Sequence, residues 1–228
     1  DRPRGPRPTI LVSGQSYPYA IAASGANIYW LNLGDSLSGS LAVDWEGGER
    51  LACARDGEGC AASVRSLVSG RFEKDLKPSV LATDGTNVYW SDLARTTVGT
   101  PPTPMVWSCG ADGCGGFPRA LSSSDAWAVA VGEIDVYWTT GLGGRIESCP
   151  RAGCDRGPRV LWTSPSAGTV GGRTLDIAVD EDSVYWTTGA GELMTCTLED
   201  CSASAMVLVP SSAGLLLQGP LCLDAESV

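Results

Sequence analysis

Histidine is absent from this 228-residue chain, and lysine occurs only as Lys74 and Lys77. Without an imidazole, Ser-His-Asp and Cys-His nucleophilic arrangements are excluded, and the commonest acid–base group is missing. No apolar run approaches the roughly 20 residues of a membrane-spanning helix. No segment sustains a helical period, and no Gly-rich phosphate loop stands between a strand and a helix. Cations are scarce: 16 Lys and Arg face 26 Asp and Glu, a formal net charge of −10. Nucleic acid is therefore not an expected partner, since phosphate recognition needs clustered cations. What is plentiful is glycine, 29 residues, and proline, 14, which favour short strands and tight turns over long helices.

The organising feature is a strand repeated four times: Ile28-Tyr29-Trp30, Val88-Tyr89-Trp90, Val136-Tyr137-Trp138 and Val184-Tyr185-Trp186. Successive tryptophans are 60, 48 and 48 residues apart, close to the roughly 40–50-residue period of propeller blades. Each copy follows a short apolar strand (19–23, 80–83, 127–131, 175–179) and a polar turn such as Asp84-Gly85-Thr86-Asn87. Asp, Asn and Gly suit such reversals. A third strand then leads into a cysteine and a fourth, such as Pro158-Arg159-Val160-Leu161, closes the unit. Four antiparallel strands, repeated, predict an all-β fold: a β-propeller of four-stranded antiparallel blades. The chain reads as a single propeller domain or part of one. Blades are expected at about 17–70, 78–123, 126–165 and 173–210, with a Pro-rich lead and outer strand over 1–14. Residues 219–228 read as the first strand of an incomplete further blade, because 221–228 repeat the pattern of 177–184. That blade would lack strands two and three and leave open sheet edges, which favour association. The expectation is part of a longer repeat array, or a subunit completed by neighbouring chains.

Eight of nine cysteines pair across the hairpin between strands three and four: Cys53/Cys60, Cys109/Cys114, Cys149/Cys154 and Cys196/Cys201. Cysteines facing across a short hairpin can meet disulfide geometry, and an oxidising compartment is implied. The protein is thus expected to be secreted, periplasmic or at the cell surface. Each bridge closes a short loop worth about 2 kcal/mol, and the expected role is to staple an exposed outer hairpin. A glycine before the second cysteine (Gly59, Gly113, Gly153) can close the turn with positive φ, whereas Asp200 holds that place in the fourth repeat. Zinc is disfavoured because four ligands do not converge within a blade; no metal or cofactor is expected. Cys222 aligns with Ala22, Ala82, Ala130 and Ala178 and reads as a packed free thiol.

The Asp-x-x-x-Val-Tyr-Trp-Thr-Thr pattern of 180–188, followed by a cysteine hairpin and an apolar strand, resembles the YWTD-type β-propeller repeat. It is most similar to the secreted, cysteine-bearing repeat proteins of bacteria of the myxobacterial type. The resemblance covers residues 7–228 and implies the propeller fold; receptor propellers of this type are extracellular binding modules, usually with six blades. This chain departs in having four complete units and in losing the Thr-Asp ending of the motif.

Function is expected on the irregular connections, because loops on a rigid scaffold carry binding. Insertions at 34–50, 70–77, 94–104 and 164–173 belong to the connections that share one propeller face. Trp45, flanked by Asp44 and Glu46, could stack on a sugar or anchor a protein, or fold back over its own loop. Arg71, Lys74 and Arg95 are candidate polar contacts. Asp84, Asp180 and Asp224 read as turn residues, and the acidic turn 180–182 as solvated rather than a Ca2+ site. The leading expectation is a non-catalytic binding or structural module recognising a protein or glycan. A carboxylate-dependent glycan-active enzyme is the catalytic alternative.

Thiol titration of the denatured, non-reduced protein should find one reactive cysteine, and eight or nine would refute the four-bridge assignment.

Overall fold

The computed structural model describes residues 9–32, 35–36, 45–46, 49–55, 59–68, 76–94, 106–124, 126–211, 221 and 223; the side chains of 35–36, 45–46, 76–79 and 93–94 are outside that description. Sixteen strands form four antiparallel sheets in chain order. The first sheet begins with β1 (Pro18–Ser24) and β2 (Asn27–Asn32). A separate two-stranded ribbon, β3 (Asp35–Ser36) and β4 (Trp45–Glu46), interrupts it before β5 (Glu49–Ala54) and β6 (Arg65–Ser66). The second holds β7 (Leu76–Thr83), β8 (Asn87–Ala94), β9 (Val106–Gly110) and β10 (Arg119–Ser122). The third holds β11 (Ala128–Val131), β12 (Asp135–Thr139), β13 (Arg145–Pro150) and β14 (Arg159–Thr163). The fourth holds β15 (Thr174–Val179), β16 (Ser183–Thr188), β17 (Leu193–Thr197) and β18 (Met206–Val209). The first strands of successive sheets contact one another, so they form the inner edge of the array.

Register explains why Val-Tyr-Trp recurs. Alternate residues of a strand point to opposite faces, so Val and Trp share one face and Tyr takes the other. Sheets stacked as blades bury both faces, which turns the usual alternation into a continuous apolar run. Each seam between blades is built alike. Tyr29, Leu31 and Leu67 of the first blade meet Val88 and Trp90 of the second. Tyr89 and Leu121 meet Val136 and Trp138. Tyr137 and Leu161 meet Val184 and Trp186. Trp90, Trp138 and Trp186 are fully buried, and truncating such a side chain to alanine costs about 3–5 kcal/mol.

The four cysteine pairs are joined as the spacing predicts: Cys53–Cys60, Cys109–Cys114, Cys149–Cys154 and Cys196–Cys201, with Cα–Cα separations of 4.8, 5.4, 5.4 and 4.8 Å. Their setting corrects the expectation of an exposed staple. Cys53, Cys60, Cys109, Cys149, Cys196 and Cys201 are buried. Cys114 and Cys154 are half-buried and pack against the cores that hold their partners Cys109 and Cys149. Every bridge thus lies in or against a core that contains a Trp. The reason is register: Val and the first cysteine are cross-strand partners (Val88 with Cys109, Val136 with Cys149, Val184 with Cys196), so the first sulfur shares the Val/Trp face. Cys114 and Cys154 keep some exposure because each follows a turn glycine, Gly113 or Gly153, at the rim of its hairpin. In the first and fourth blades the second cysteine instead opens a helical turn, which carries Cys60 and Cys201 fully inward.

The hairpins close in two ways. Gly113 and Gly153 take positive φ, +105° and +118°, where a side chain is strained. Gly59 does not; its φ is −90°, and it precedes a one-turn helix, α1 (Cys60–Ser63). Asp200 keeps φ −145° and caps the matching helix α2 (Cys201–Ser204), accepting the Ala203 N–H at 3.1 Å. Both helices end on a serine whose hydroxyl accepts the N–H of the residue after the first cysteine, Ser63 from Ala54 and Ser204 from Thr197. Among the described residues no helix is long and apolar enough to cross a membrane.

Candidate functional site

The repeat interlock is interrupted at the first blade. Its Val/Trp face carries Ile28, Trp30, Leu51 and Cys53, the partners that the other three blades present to a neighbour. Here a groove of about 370 Å3 opens between β1 and the stretch 10–12, lined by Trp30, Ile28, Ile21, Tyr19, Leu11 and Val12. Ile21 pairs with Trp30 in the ladder, as Val129 does with Trp138 and Ile177 with Trp186. Val129 is 8% exposed and Ile177 5%, against 73% for Ile21. The residue at this position is apolar in all four blades (Ile21, Leu81, Val129 and Ile177); among the described residues no preceding blade covers Ile21.

Residues 9–13, read from sequence as an outer strand, are not in a ladder. Leu11 and Val12 nonetheless pack on Trp30, Leu51, Cys53 and Cys60, as Leu67 and Val68 pack against Trp90 and Cys109 one seam on. Gln15 adds a polar anchor. Its Oε1 accepts from Trp30 Nε1 at 2.8 Å and from Asn32 Nδ2 at 3.0 Å, and Asn32 Nδ2 also reaches Glu49 at 2.9 Å.

The other indoles find different acceptors. Trp90 donates to Asp92 at 3.2 Å, and Asp92 forms a buried ion pair with Arg50 of the first blade at 2.5 Å. Burial pushes the Asp92 carboxyl up, and the Arg50 guanidinium pulls against that rise. Trp138 donates to Glu147 at 3.0 Å, which also accepts from Ser124 at 2.6 Å. In the fourth blade Met194 replaces Glu147 in the register, and Trp186 Nε1 has no partner among the described residues.

The aspartate turns hold the tyrosines. Asp84 Oδ1 accepts from Thr86 N and Asn87 N, at 2.8 and 2.6 Å, while Oδ2 accepts from Tyr89 Oη at 3.0 Å. Asp180 repeats this with Asp182 N, Ser183 N and Tyr185 Oη. Serine stands there in the first blade (Ser24), and Tyr29 Oη has no partner among the described residues. Both carboxylates are thus engaged in turns, as the sequence suggests; Asp224 lies outside the described residues. No group of three or more His, Cys, Asp or Glu is gathered as metal ligands would be among the described residues.

Of the predicted contacts, Asp44, Arg71, Lys74 and Arg95 lie outside the described residues, as does Cys222. Trp45 and Glu46 are placed by backbone only, opposite Ser36 and Asp35 on the β3–β4 ribbon. The insertion 164–173 is described throughout. It folds onto the β12–β13 connection through Ser164 N to Gly144 O and Gly168 N to Leu142 O, at 2.7 and 2.9 Å. Arg173 lies 5.7 Å from the centre of the Trp127 ring. The groove at Trp30 was missed from sequence, although the unmatched first Trp face was its signal.

The chain is similar to the computationally designed Ika4 protein at 12% identity, covering 85% of this chain and 99% of that one, with a TM-score of 0.54. A luciferin-regenerating enzyme shares 13% identity over 88% of this chain and 78% of its own, with a TM-score of 0.54. A putative 6-phosphogluconolactonase from Bacteroides uniformis shares 14% over 86% of this chain and 57% of its own, with a TM-score of 0.53. The fold is a β-propeller. At these identities the likeness shows the fold and not an activity. No protein-family model matches the chain, and no curated protein matches it.

Burial alone would raise the Asp84 carboxyl, but the N–H groups of Asn87 and Thr86, the Tyr89 hydroxyl and Arg151 together hold it below its ordinary value. Burial, then the Asp84 charge and hydrogen bond, push the Tyr89 hydroxyl up to about 12. Asp84 ionises near 3.9 when unfolded and lower when folded, so its stabilising effect is complete above about 4 and lost as pH falls through the folded value. Tyr89 ionises near 10 when unfolded and about 12 when folded, so its effect is complete below about 10 and lost as pH rises toward 12. In urea titrations, Asp84→Asn should cost about 1 kcal/mol at neutral pH and flatten both limbs of the pH–stability curve; curves that superimpose after scaling would contradict the Asp–Tyr lock.

Proposed function

We propose that this protein is a non-catalytic binding or structural β-propeller module that engages a protein partner. The observation that carries the reading is the apolar groove around Trp30, a core-type surface that no further blade covers among the described residues. Contiguous apolar surface of this kind on a folded protein marks an interaction site, and an aromatic side chain at the base of a pocket is the usual anchor of one. The groove offers shape and apolar contact, with Gln15 and the Tyr19 hydroxyl as polar groups, and no acid–base pair among the described residues that line it.

The propeller face bearing the long connections is a second recognition surface for protein or glycan in this reading. The β3–β4 ribbon supports it by holding Trp45 and Glu46 apart from the first sheet. Asp44, Arg71, Lys74 and Arg95 are the proposed polar contacts. The engaged Asp–Tyr turns and the cysteine hairpins support kinship with the YWTD-type repeat. Four bridges set in or against the cores support a secreted, periplasmic or cell-surface location, since they are needed for packing and persist only where thiols are oxidised.

Panning a random peptide library on the folded protein should enrich extended, aromatic-bearing peptides whose affinity drops at least tenfold, about 1.4 kcal/mol, on Ile21→Asp. Peptides indifferent to Ile21→Asp but lost on Trp45→Ala would move the site to the long-connection face. No enrichment at either place would overturn the reading.

A further inference from the structure

We infer that the occupant of the Trp30 groove is the fourth blade of a second copy of this chain, docked head to tail. The inference rests on the protein-binding reading of the groove and names its partner. Each internal seam joins a tyrosine face to a Val/Trp face, three times over. Among the described residues one face of each kind has no blade packed against it, and the register identifies both.

The unused tyrosine face belongs to the fourth blade. Tyr185 is half-buried, whereas Tyr29, Tyr89 and Tyr137 are buried. Each Tyr has a cross-strand partner (Ala52, Ser108, Ser148, Thr195), and that residue pairs in turn with the start of the outermost strand: Arg65, Arg119, Arg159 and Met206. Two residues on stands a leucine in every blade. Leu67, Leu121 and Leu161 are 1, 4 and 8% exposed, because each is packed in the seam with the following blade; Leu208 is 42% exposed. Met206 also departs from the arginines at its position. Arg65 and Arg119 donate to the carbonyls of Ala111 and Ala152 in the next blade's cysteine hairpin, whereas the fourth blade presents an apolar Met there, 56% exposed.

These two faces are therefore the two halves of an interface this sequence already forms three times. A second copy brings Tyr185 and Leu208 to Trp30 and Ile21, the pairing that Tyr137 and Leu161 make with Trp186 and Ile177. Such a contact is heterologous, and it closes into a ring when both ends are used. Two short stretches stand in its way. Leu11 and Val12 hold on the first blade the place that Leu208 would take. On the fourth blade Asp176, which replaces the Ala20 and Ala128 of other first strands, accepts from the Leu221 N–H. Docking exchanges the cis contacts of 9–13 for those of β18, so removing that stretch favours association.

Sedimentation equilibrium over a wide concentration range tests this with the whole chain. Reversible dimers are expected. Ile21→Asp and Leu208→Asp, both at solvent-exposed positions, should each weaken association at least tenfold while leaving the circular dichroism unchanged. Mixing the two variants should restore a heterodimer, because one keeps its Tyr185 face and the other its groove. Deleting residues 1–14 should strengthen dimerisation. A monomer at every concentration, with or without residues 1–14, would overturn the inference, as would dimers indifferent to both substitutions. If the chain stays monomeric while selected peptides still require Ile21, the protein-binding reading stands and only self-docking falls.

Discussion

A tyrosine pointing one way and a tryptophan pointing the other, side by side on the same strand, hold this protein together. The blade is too thin to bury a core by itself, since a single four-stranded sheet has no interior. Burial comes from the next blade, and the Tyr-Trp pair commits each strand to a neighbour on both sides. Every other feature follows from that commitment. The valine two residues before Trp must be apolar because it shares the Trp face, and the cysteine opposite that valine is buried for the same reason. Disulfides here are core components as much as cross-links: their sulfurs pack beside an indole, and their loops are short enough that chain entropy contributes little more than about 2 kcal/mol each.

Polar groups complete the seams one blade at a time, which is why the repeat is imperfect. The tyrosine hydroxyl is met by Asp84 or Asp180 but not by Ser24. The indole N–H is met by Gln15, Asp92 or Glu147 but not by Met194. Buried polar groups without partners cost about 1–3 kcal/mol. The first and fourth blades thus each carry, among the described residues, one such buried group without a partner, Tyr29 Oη and Trp186 Nε1.

The architecture was legible in the sequence because repetition amplifies a weak signal. One Val-Tyr-Trp is a short apolar run; four in register, with cysteines at a fixed offset, define blades and their strands. Burial of the cysteines was not legible, because C-x4-C gives the spacing across a hairpin and not the face on which the sulfurs lie. That required the cross-strand pairing of Val88 with Cys109 and its counterparts, and it leaves only Cys114 and Cys154 near the rim where all eight were expected. Gly59 departs from expectation for a similar reason: the following Cys-Ala-Ala-Ser forms a helical turn that needs no positive φ. The groove escaped notice because its residues look like core in every copy, and exposure depends on what packs against them rather than on their identity. Trp45, which the β3–β4 ribbon carries, and Asp44, which lies outside the described residues, were chosen for chemistry and are proposals.

The central claim is that Tyr and Trp act across seams, not along their strand. A double-mutant cycle on Tyr137 and Trp186, which share a core, measures it directly by chemical denaturation. The account predicts a coupling of about 1 kcal/mol between Tyr137→Ala and Trp186→Ala, and near-additivity between Tyr137→Ala and Trp138→Ala, which are adjacent in sequence but belong to different cores. Strong coupling within the strand and none across the seam would contradict it.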